Sequence, residues 1–331
     1  MKRAHFPSIT AREVAAVLLT WYNAEVPART DSRRPGVESC AAMPHQLRTF
    51  YDDGVTLSYE VFGKGDRVLV YLHGILLDSF VNHRLAEDLA DAGYRVILLD
   101  LPGHGRSDKP HSIALHRMDS YARRVVRLLD ALGIEKAAVG GVSLGADITL
   151  QLALVAPERL TGMVLEMPVL EQAVPAALLV FAPVLFAANY AAPVLRALLR
   201  LARRIPRERL GVMGTVLGPV ELDPDDIAAV LKGVVVGPVA PTVAERVSMT
   251  TPTLVIGHRS DRVHPFGDAA RLAAQLPDAR FVEARSILEL RLRPARLTAE
   301  ITQFLDQLWD TGHAGRVELE EESAGGGTAG L

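Results

Sequence analysis

The sequence predicts an α/β protein with a mostly parallel sheet flanked by helices and a helical segment inserted between two strands. Three observations support this prediction. Short, almost wholly apolar runs such as RVLVYLHG and RVILLDLPG are typical of buried central strands. These runs alternate with stretches of helical periodicity, as in a parallel sheet covered on both faces. One stretch, residues 168–247, breaks the alternation with mainly helical or irregular sequence.

The predicted elements follow one another in a regular order. We predict strands where apolar residues run together or alternate, and helices where they recur every three or four positions. Three of the helices end at residues that stop helices, namely Gly93, Gly133 and Pro157. In chain order the elements are TLSYEVF, RVLVYLHG, HRLAEDLADAG, RVILLDLPG, SYARRVVRLLDALG, KAAVGGVS, LGADITLQLALVAP and TGMVLEMP, and after the insertion TPTLVIGHRSD, DAARLAAQLP, ARFVEA and LTAEITQFLDQLW.

These elements divide the chain into a core, an insertion and two terminal segments. Residues 46–167 and 248–309 form the α/β core, and residues 168–247 form a helical cap insertion. Residues 1–45 lack sustained periodicity and are expected to be a poorly ordered extension. Residues 310–331 combine an acidic run with glycines and are expected to be a disordered tail.

The composition restricts the classes of partner. The 331 residues carry a net charge of −3 and have a pI of about 6.4, so no overall basic field attracts nucleic acid. The single cysteine, Cys40, excludes an intrachain disulfide, and no Cys/His spacing typical of metal sites occurs. The apolar run AAVLL near the N-terminus is too short for a signal peptide. We therefore expect a cytoplasmic protein without metal or cofactor whose partner is a small molecule.

The segment GGVSLGAD places a serine between a predicted strand and a predicted helix. Gly141 and Gly145 flank Ser143 with one residue on either side. A nucleophile on a sharp strand-to-helix turn needs small neighbours, because larger side chains would collide with the strand and the helix. The free N–H groups at the helix start can stabilise an oxyanion. Ser143 is therefore the candidate nucleophile.

With this turn the chain resembles the α/β-hydrolase superfamily over roughly residues 47–309. Three further motifs support the resemblance: YLHGIL, DLPGHGRSD and GHRSDRVHP. The resemblance implies that the N–H groups of Ile75 and Leu144 form the oxyanion hole and that Asp261 is the catalytic acid. Glu166, at another strand end, is the alternative acid, because some relatives keep their acid there.

The histidine that the superfamily places after its last strand is missing. The corresponding stretch, VEARSILELRLRPARL at 282–297, contains none. His264, three residues after Asp261, is the first candidate base, and His258 at the strand end is the second. His264 can instead have a structural role, capping the next helix or packing under Phe266. A serine without a base is a poor nucleophile, so the base decides whether the site is active.

The insertion contains 23 consecutive residues without a charge, from Ala173 to Leu195. This length suits a membrane span, but three prolines interrupt it, and we do not expect it to cross a membrane. We expect a cap with an apolar inner face that lines a pocket for a lipophilic substrate. The following RALLRLARRIPRERL is expected to be an amphipathic helix whose arginines allow weak peripheral contact with anionic lipid. Asn189 and Tyr190, the polar residues of the uncharged run, are candidate substrate contacts.

The pattern as a whole favours a serine hydrolase that acts on an ester or related acyl bond of a lipophilic small molecule. The alternative is a non-hydrolytic binding or biosynthetic protein on the same fold, which the missing histidine favours. Dehalogenase and epoxide hydrolase chemistry is disfavoured, because those reactions use a carboxylate where Ser143 stands.

Overall fold

Eight strands form a single sheet at the centre of the described chain. The computed structural model of the protein describes residues 45–205, 214, 218–259 and 261–324. The predicted N-terminal extension therefore lies outside the described residues, except for His45. The strands are β1 (Gln46–Asp52), β2 (Val55–Phe62), β3 (Val68–Leu72), β4 (Arg95–Leu99), β5 (Ala137–Val142), β6 (Leu160–Glu166), β7 (Thr253–His258) and β8 (Ala279–Ala284).

The strand order across the sheet is β1-β2-β4-β3-β5-β6-β7-β8. β1 and β2 pair antiparallel with each other, β2 pairs antiparallel with β4, and the strands from β4 to β8 are parallel. This confirms the predicted mostly parallel sheet. Because parallel strands share one carboxyl edge, the loops that follow β3, β5, β6 and β7 meet there, where open α/β sheets place their ligands.

Helices cover both faces of the sheet, as the continuous apolar strands require. One face packs against α2 (Met118–Ala131), α3 (Leu144–Val155) and α8 (Phe266–Gln275). The other face packs against α1 (His83–Asp91), α9 (Glu289–Leu292) and α10 (Ala295–Ala324). α3 is buried on all sides along most of its length, which explains why its sequence is apolar without a polar face.

The insertion between β6 and β7 is helical, as predicted. It contains α4 (Val174–Tyr190), α5 (Ala192–Ala202), α6 (Pro224–Val235) and α7 (Val243–Ser248). Proline stands in the first turn of α4, α5 and α6, where its missing N–H costs no hydrogen bond. The inner sides of α4, α5 and α6 form a separate apolar cluster that also includes Leu76, from the loop after β3.

The uncharged run of the insertion is divided by a bend. Among the described residues no single helix is long and apolar enough to cross a membrane. α4 and α5 pass the length and composition test only as a pair, and they are bent by 110° at the break between them.

The C-terminal segment differs from its prediction. α10 continues to Ala324, whereas we expected disorder from residue 310 onward. The segment VELEEES is rich in Glu, a strong helix former, and the helix continues past two glycines that each cost about 1 kcal/mol. Residues 325–331 of the predicted tail lie outside the described residues.

Candidate active site

Ser143 occupies the turn between β5 and α3. Its backbone has φ 55° and ψ −114°, and residues with a Cβ rarely adopt a positive φ. A Cβ added at Gly141 or Gly145 would lie 2.7 or 2.6 Å from the carbonyl oxygen of Leu72. Only glycine fits at both positions, so the two flanking glycines let the turn close tightly against β3. This is the strand–turn–helix arrangement that the GVSLG motif predicts.

The loop after β7 brings Asp261 and His264 together within one turn. One carboxylate oxygen of Asp261 accepts from the backbone N–H groups of Val263 (2.8 Å) and His264 (3.0 Å), which closes the turn. The other oxygen lies 2.8 Å from the ring Nδ1 of His264. Burial acts to raise the pKa of Asp261, but the His264 ring and the two N–H groups outweigh it and lower the pKa.

The tautomer of His264 follows from this contact. An ionised carboxylate can only accept hydrogen bonds, so Nδ1 of His264 carries the ring proton and donates it to Asp261. Nε2 is then the basic nitrogen, and it lies 2.9 Å from Ser143 Oγ. The side chains of His264 and Asp261 are 16% and 9% exposed, so bulk water screens the pair only weakly. The three side chains form one hydrogen-bonded chain of the kind that can take a proton from a serine hydroxyl.

Ile75 and Leu144 lie on the two backbone segments that adjoin Ser143. Leu144 is the first residue of α3, where N–H groups have no partner inside the helix. Gly74 lies against the serine, because a Cβ there would be 3.8 Å from the Ser143 Cβ. His73 braces this loop: its Nδ1 donates to the Gly74 carbonyl at 2.8 Å and its Nε2 accepts a backbone N–H of the loop after β4 at 3.1 Å.

Glu166, the alternative acid, belongs to a separate buried cluster. Its carboxylate pairs with Arg291, accepts from the Tyr71 hydroxyl at 3.2 Å and lies 3.4 Å from Nε2 of His258. Glu166, Tyr71 and His258 are each 1% exposed or less. Burial acts to raise the pKa of Glu166, but Arg291 and His258 lower it to about 2. Neither the Glu166 carboxylate nor the ring of His258, the second candidate base, belongs to the hydrogen-bonded set of Ser143, His264 and Asp261 side chains.

Arg291 is the residue of this cluster that sequence reasoning missed. It lies on α9, within the stretch after β8 where the superfamily places its histidine. Nothing in LELRLRPARL distinguishes it from its arginine neighbours, because its partner Glu166 is 125 positions away in the chain. The ring Nδ1 of His258 also reaches this stretch, 2.9 Å from the Ser286 carbonyl. An ion pair and a hydrogen bond thus hold the segment where a histidine was expected.

Asn189 and Tyr190, the predicted substrate contacts, lie on the exposed side of α4 near its C-terminal end. Tyr190 is 78% exposed, and its ring packs on Phe186 with 4.9 Å between the centroids. Asn189 donates to the Leu185 carbonyl of its own helix at 2.7 Å and accepts from Lys232 at 2.6 Å. Both residues follow the inward-facing Ala188 of α4 and are exposed, and their contact with substrate stays a prediction.

In the part of the chain that the structure describes, no group of three or more His, Cys, Asp or Glu side chains is arranged to hold a metal ion. His264 and Asp261, the nearest such pair to Ser143, use their facing atoms on each other.

Known proteins with similar sequence or structure agree with the fold. A family model described as the alpha/beta hydrolase fold matches residues 67–205, a range that includes Ser143 and ends before Asp261. A dihydrolipoyllysine-residue acetyltransferase component of the acetoin cleaving system from Cupriavidus necator is 38% identical over 119 residues, covering 35% of this chain and 30% of that protein. A 2-hydroxy-6-oxononadienedioate/2-hydroxy-6-oxononatrienedioate hydrolase from Burkholderia vietnamiensis is 40% identical over 119 residues, covering 34% and 41%.

The structural match is more extensive than these sequence matches. The enol-lactonase from Burkholderia xenovorans superposes with a TM-score of 0.65 at 21% identity, covering 78% of this chain and all of that one. The two curated relatives, by contrast, are matched over less than half of their own length. The fold, the strand order and the turn between β5 and α3 together define an α/β protein with a serine at the carboxyl edge of its sheet. The chain has the α/β-hydrolase fold, and over residues 67–205 it is similar to the family of that name.

Proposed function

We propose that the protein is a serine hydrolase that cleaves an ester or related acyl bond of a lipophilic small molecule. The observation that carries this proposal is the hydrogen-bonded chain from Ser143 Oγ through the His264 ring to the Asp261 carboxylate. In this chain the histidine follows the acid by three residues on one loop, and it takes the place of a histidine after the last strand.

The reaction proceeds in two halves. Ser143 Oγ attacks the acyl carbon as its proton passes to Nε2 of His264, and the resulting imidazolium is stabilised by the charged Asp261. The tetrahedral intermediate then expels the alcohol, which takes the proton from His264 and leaves an acyl group on Ser143. In the second half water attacks the acyl carbon as its proton passes to His264, and the Ser143 oxygen then leaves with that proton, which releases the carboxylic acid and free Ser143.

The N–H groups of Ile75 and Leu144 stabilise the negative oxygen of each tetrahedral intermediate. Leu144 contributes from the N-terminus of α3, where the helix dipole also favours negative charge. Ile75 contributes from the loop that Gly74 brings against the serine. Loss of one such donor typically lowers kcat by about 10²–10³-fold.

The apolar side chains of the insertion support the proposal that it is a cap and that the substrate is lipophilic. Its apolar cluster includes Leu76 and packs against Ile75, which belong to the oxyanion loop beside the serine. Gly218 of the insertion also presses on this loop, since a Cβ there would lie 2.9 Å from the Leu76 carbonyl oxygen. An acyl chain that leaves the serine on this side meets apolar side chains. The name of the Burkholderia vietnamiensis relative supports hydrolysis as the reaction.

A series of 4-nitrophenyl esters from acetate to octanoate tests this proposal. We expect the wild type to hydrolyse the esters, with kcat/KM rising by up to about fourfold for each added CH₂ while the chain fits the apolar site. The Ser143→Ala variant sets the background rate. A wild type no faster than Ser143→Ala on every ester would refute hydrolysis and favour the non-hydrolytic alternative.

A further inference from the structure

The outer side of α4 and α5 leaves an unusual number of apolar side chains in solvent. Ten large apolar residues of this region are between 37% and 78% exposed, and we call them the outer apolar face. They are Val174, Leu178, Leu179, Val180, Phe186, Tyr190, Val194, Leu198, Leu201 and Ile205. Apolar exposure on this scale marks a surface that binds something, because scattered single residues are the norm elsewhere.

The pattern on α5 shows that this exposure is organised. Val194, Leu198 and Leu201, followed by Ile205, recur at intervals of four, three and four residues and so lie on one side of the helix. Leu195 and Leu199 lie on a different side and pack into the insertion's own cluster. One apolar row of α5 therefore packs against the rest of the insertion, and a second apolar row is exposed to solvent.

The charged residues within the segment that contains α4 and α5 have a single sign. Residues 172–207 contain no Asp or Glu and include the five arginines 196, 200, 203, 204 and 207. Arg196 pairs with Asp223, and Arg203 donates to three backbone carbonyls, so these two are held by the fold. Arg200 is exposed beside the apolar row and is free of any ion pair within the described ranges. Apolar residues flanked by arginines are typical of helices that lie in the surface of an anionic bilayer.

We propose that the outer apolar face docks the protein on an anionic lipid surface, with α4 and α5 lying in the plane of the interface. The bend of 110° between the helices suits this placement, because both then run along the surface instead of through it. The exposed pair Phe186 and Tyr190 supplies aromatic rings of the kind found at the headgroup level. Long arginine side chains beside the apolar row can reach the phosphates while their stems stay in apolar surroundings.

Charge favours lipid over a second copy of the chain as the occupant. A symmetric contact between two outer apolar faces would bring Arg200 and Arg204 of one copy toward the same residues of the other. No acidic residue occurs between 172 and 207, and the acidic side chains that reach α5, Asp223 and Asp225, are paired with Arg196. Anionic headgroups offset the repulsion between these arginines directly.

Flotation of the full-length protein with vesicles tests this proposal independently of hydrolysis. We expect binding to vesicles of 70% phosphatidylcholine and 30% phosphatidylglycerol, and at least tenfold weaker binding to pure phosphatidylcholine. Leu198→Ser and Phe186→Ser should each weaken binding about tenfold, since each removes a large apolar group from the interface. Arg200→Gln should weaken binding to the anionic vesicles about fivefold and leave binding to neutral vesicles unchanged.

A matched control separates the outer apolar face from general stickiness. Val155→Ser removes another exposed apolar side chain, 41% exposed at the end of α3 and outside the insertion, and should bind like the wild type. Circular dichroism on each variant confirms the fold, which these exposed substitutions should preserve. The proposal is overturned if the wild type ignores anionic vesicles or if Leu198→Ser and Phe186→Ser bind as it does. It is also overturned if light scattering shows a dimer that Leu198→Ser dissociates.

Discussion

His264→Ala is expected to lower kcat for ester hydrolysis by about 10⁴–10⁶-fold. The ring nitrogen Nε2 lies 2.9 Å from Ser143 Oγ and is the basic nitrogen of the hydrogen-bonded chain. Without it the hydroxyl keeps its proton and the leaving alcohol has no acid. The activity that remains comes from substrate binding and the oxyanion hole. Steady-state kinetics on the best 4-nitrophenyl ester measure the loss, and a kcat within tenfold of wild type would contradict the assignment.

His258→Asn is the matched control for that experiment, because His258 is the second candidate base and lies at the end of β7, just before the loop that contains His264. Its ring is 1% exposed, and its Nδ1 faces the Ser286 carbonyl, a contact that the asparagine amide can keep. We expect kcat to stay within about tenfold of the wild type, since loss of a positioning contact does not remove the base. If His258→Asn loses as much kcat as His264→Ala, the two histidines cannot be separated and the base is not established.

Arg291→Met is expected to lower the free energy of unfolding by about 3–5 kcal/mol. Arg291 is the cationic partner of Glu166, whose carboxylate is fully buried, and methionine would leave that carboxylate with only the His258 ring and the Tyr71 hydroxyl beside it. The Tyr71 hydroxyl would still donate to it, but a neutral donor does not replace the guanidinium. Urea unfolding at pH 7 measures the change, and a loss below about 1 kcal/mol would show that the pair is not critical.

The double variant Glu166→Gln/Arg291→Met controls for the lost packing of the arginine. It removes both charges, so we expect it to recover most of the stability that Arg291→Met loses.

The pH dependence of stability follows from the lowered pKa of Glu166. Because the pKa of Glu166 is lowered from 4.5 to about 2, its stabilising effect is complete above pH 4.5 and is lost as the pH falls toward 2. The double variant should lack this part of the acid destabilisation.

The features that the sequence predicts are those that depend on residues close to one another in the chain. The parallel strands are nearly continuous apolar runs because helices cover both faces, and such runs are visible without a structure. Ser143 can be recognised in the sequence because only glycine fits two positions before it and two positions after it. Asp261 and His264 were found together because a single turn joins them, so three residues of sequence contain the whole contact.

What could not be predicted depends on distant or directional contacts. Arg291 meets Glu166 across 125 positions of sequence, and no local pattern records that distance. Asn189 and Tyr190 were singled out for being polar in an apolar run, but composition does not say which way a side chain points. In the structure α4 turns them outward, to Lys232 and to solvent. The exposed apolar row of α5 was likewise hidden, because both of its apolar rows look alike in sequence.

Intact-mass spectrometry after treatment with a fluorophosphonate shows whether Ser143 is an activated nucleophile, because only an activated serine displaces the fluoride quickly. We predict one adduct on the wild type, located on Ser143 by peptide mapping, and none on Ser143→Ala. Labelling of His264→Ala should be slower by orders of magnitude, since the hydroxyl then lacks its base. A wild type that stays unlabelled at high probe concentration, or an adduct that persists in Ser143→Ala, would contradict the account.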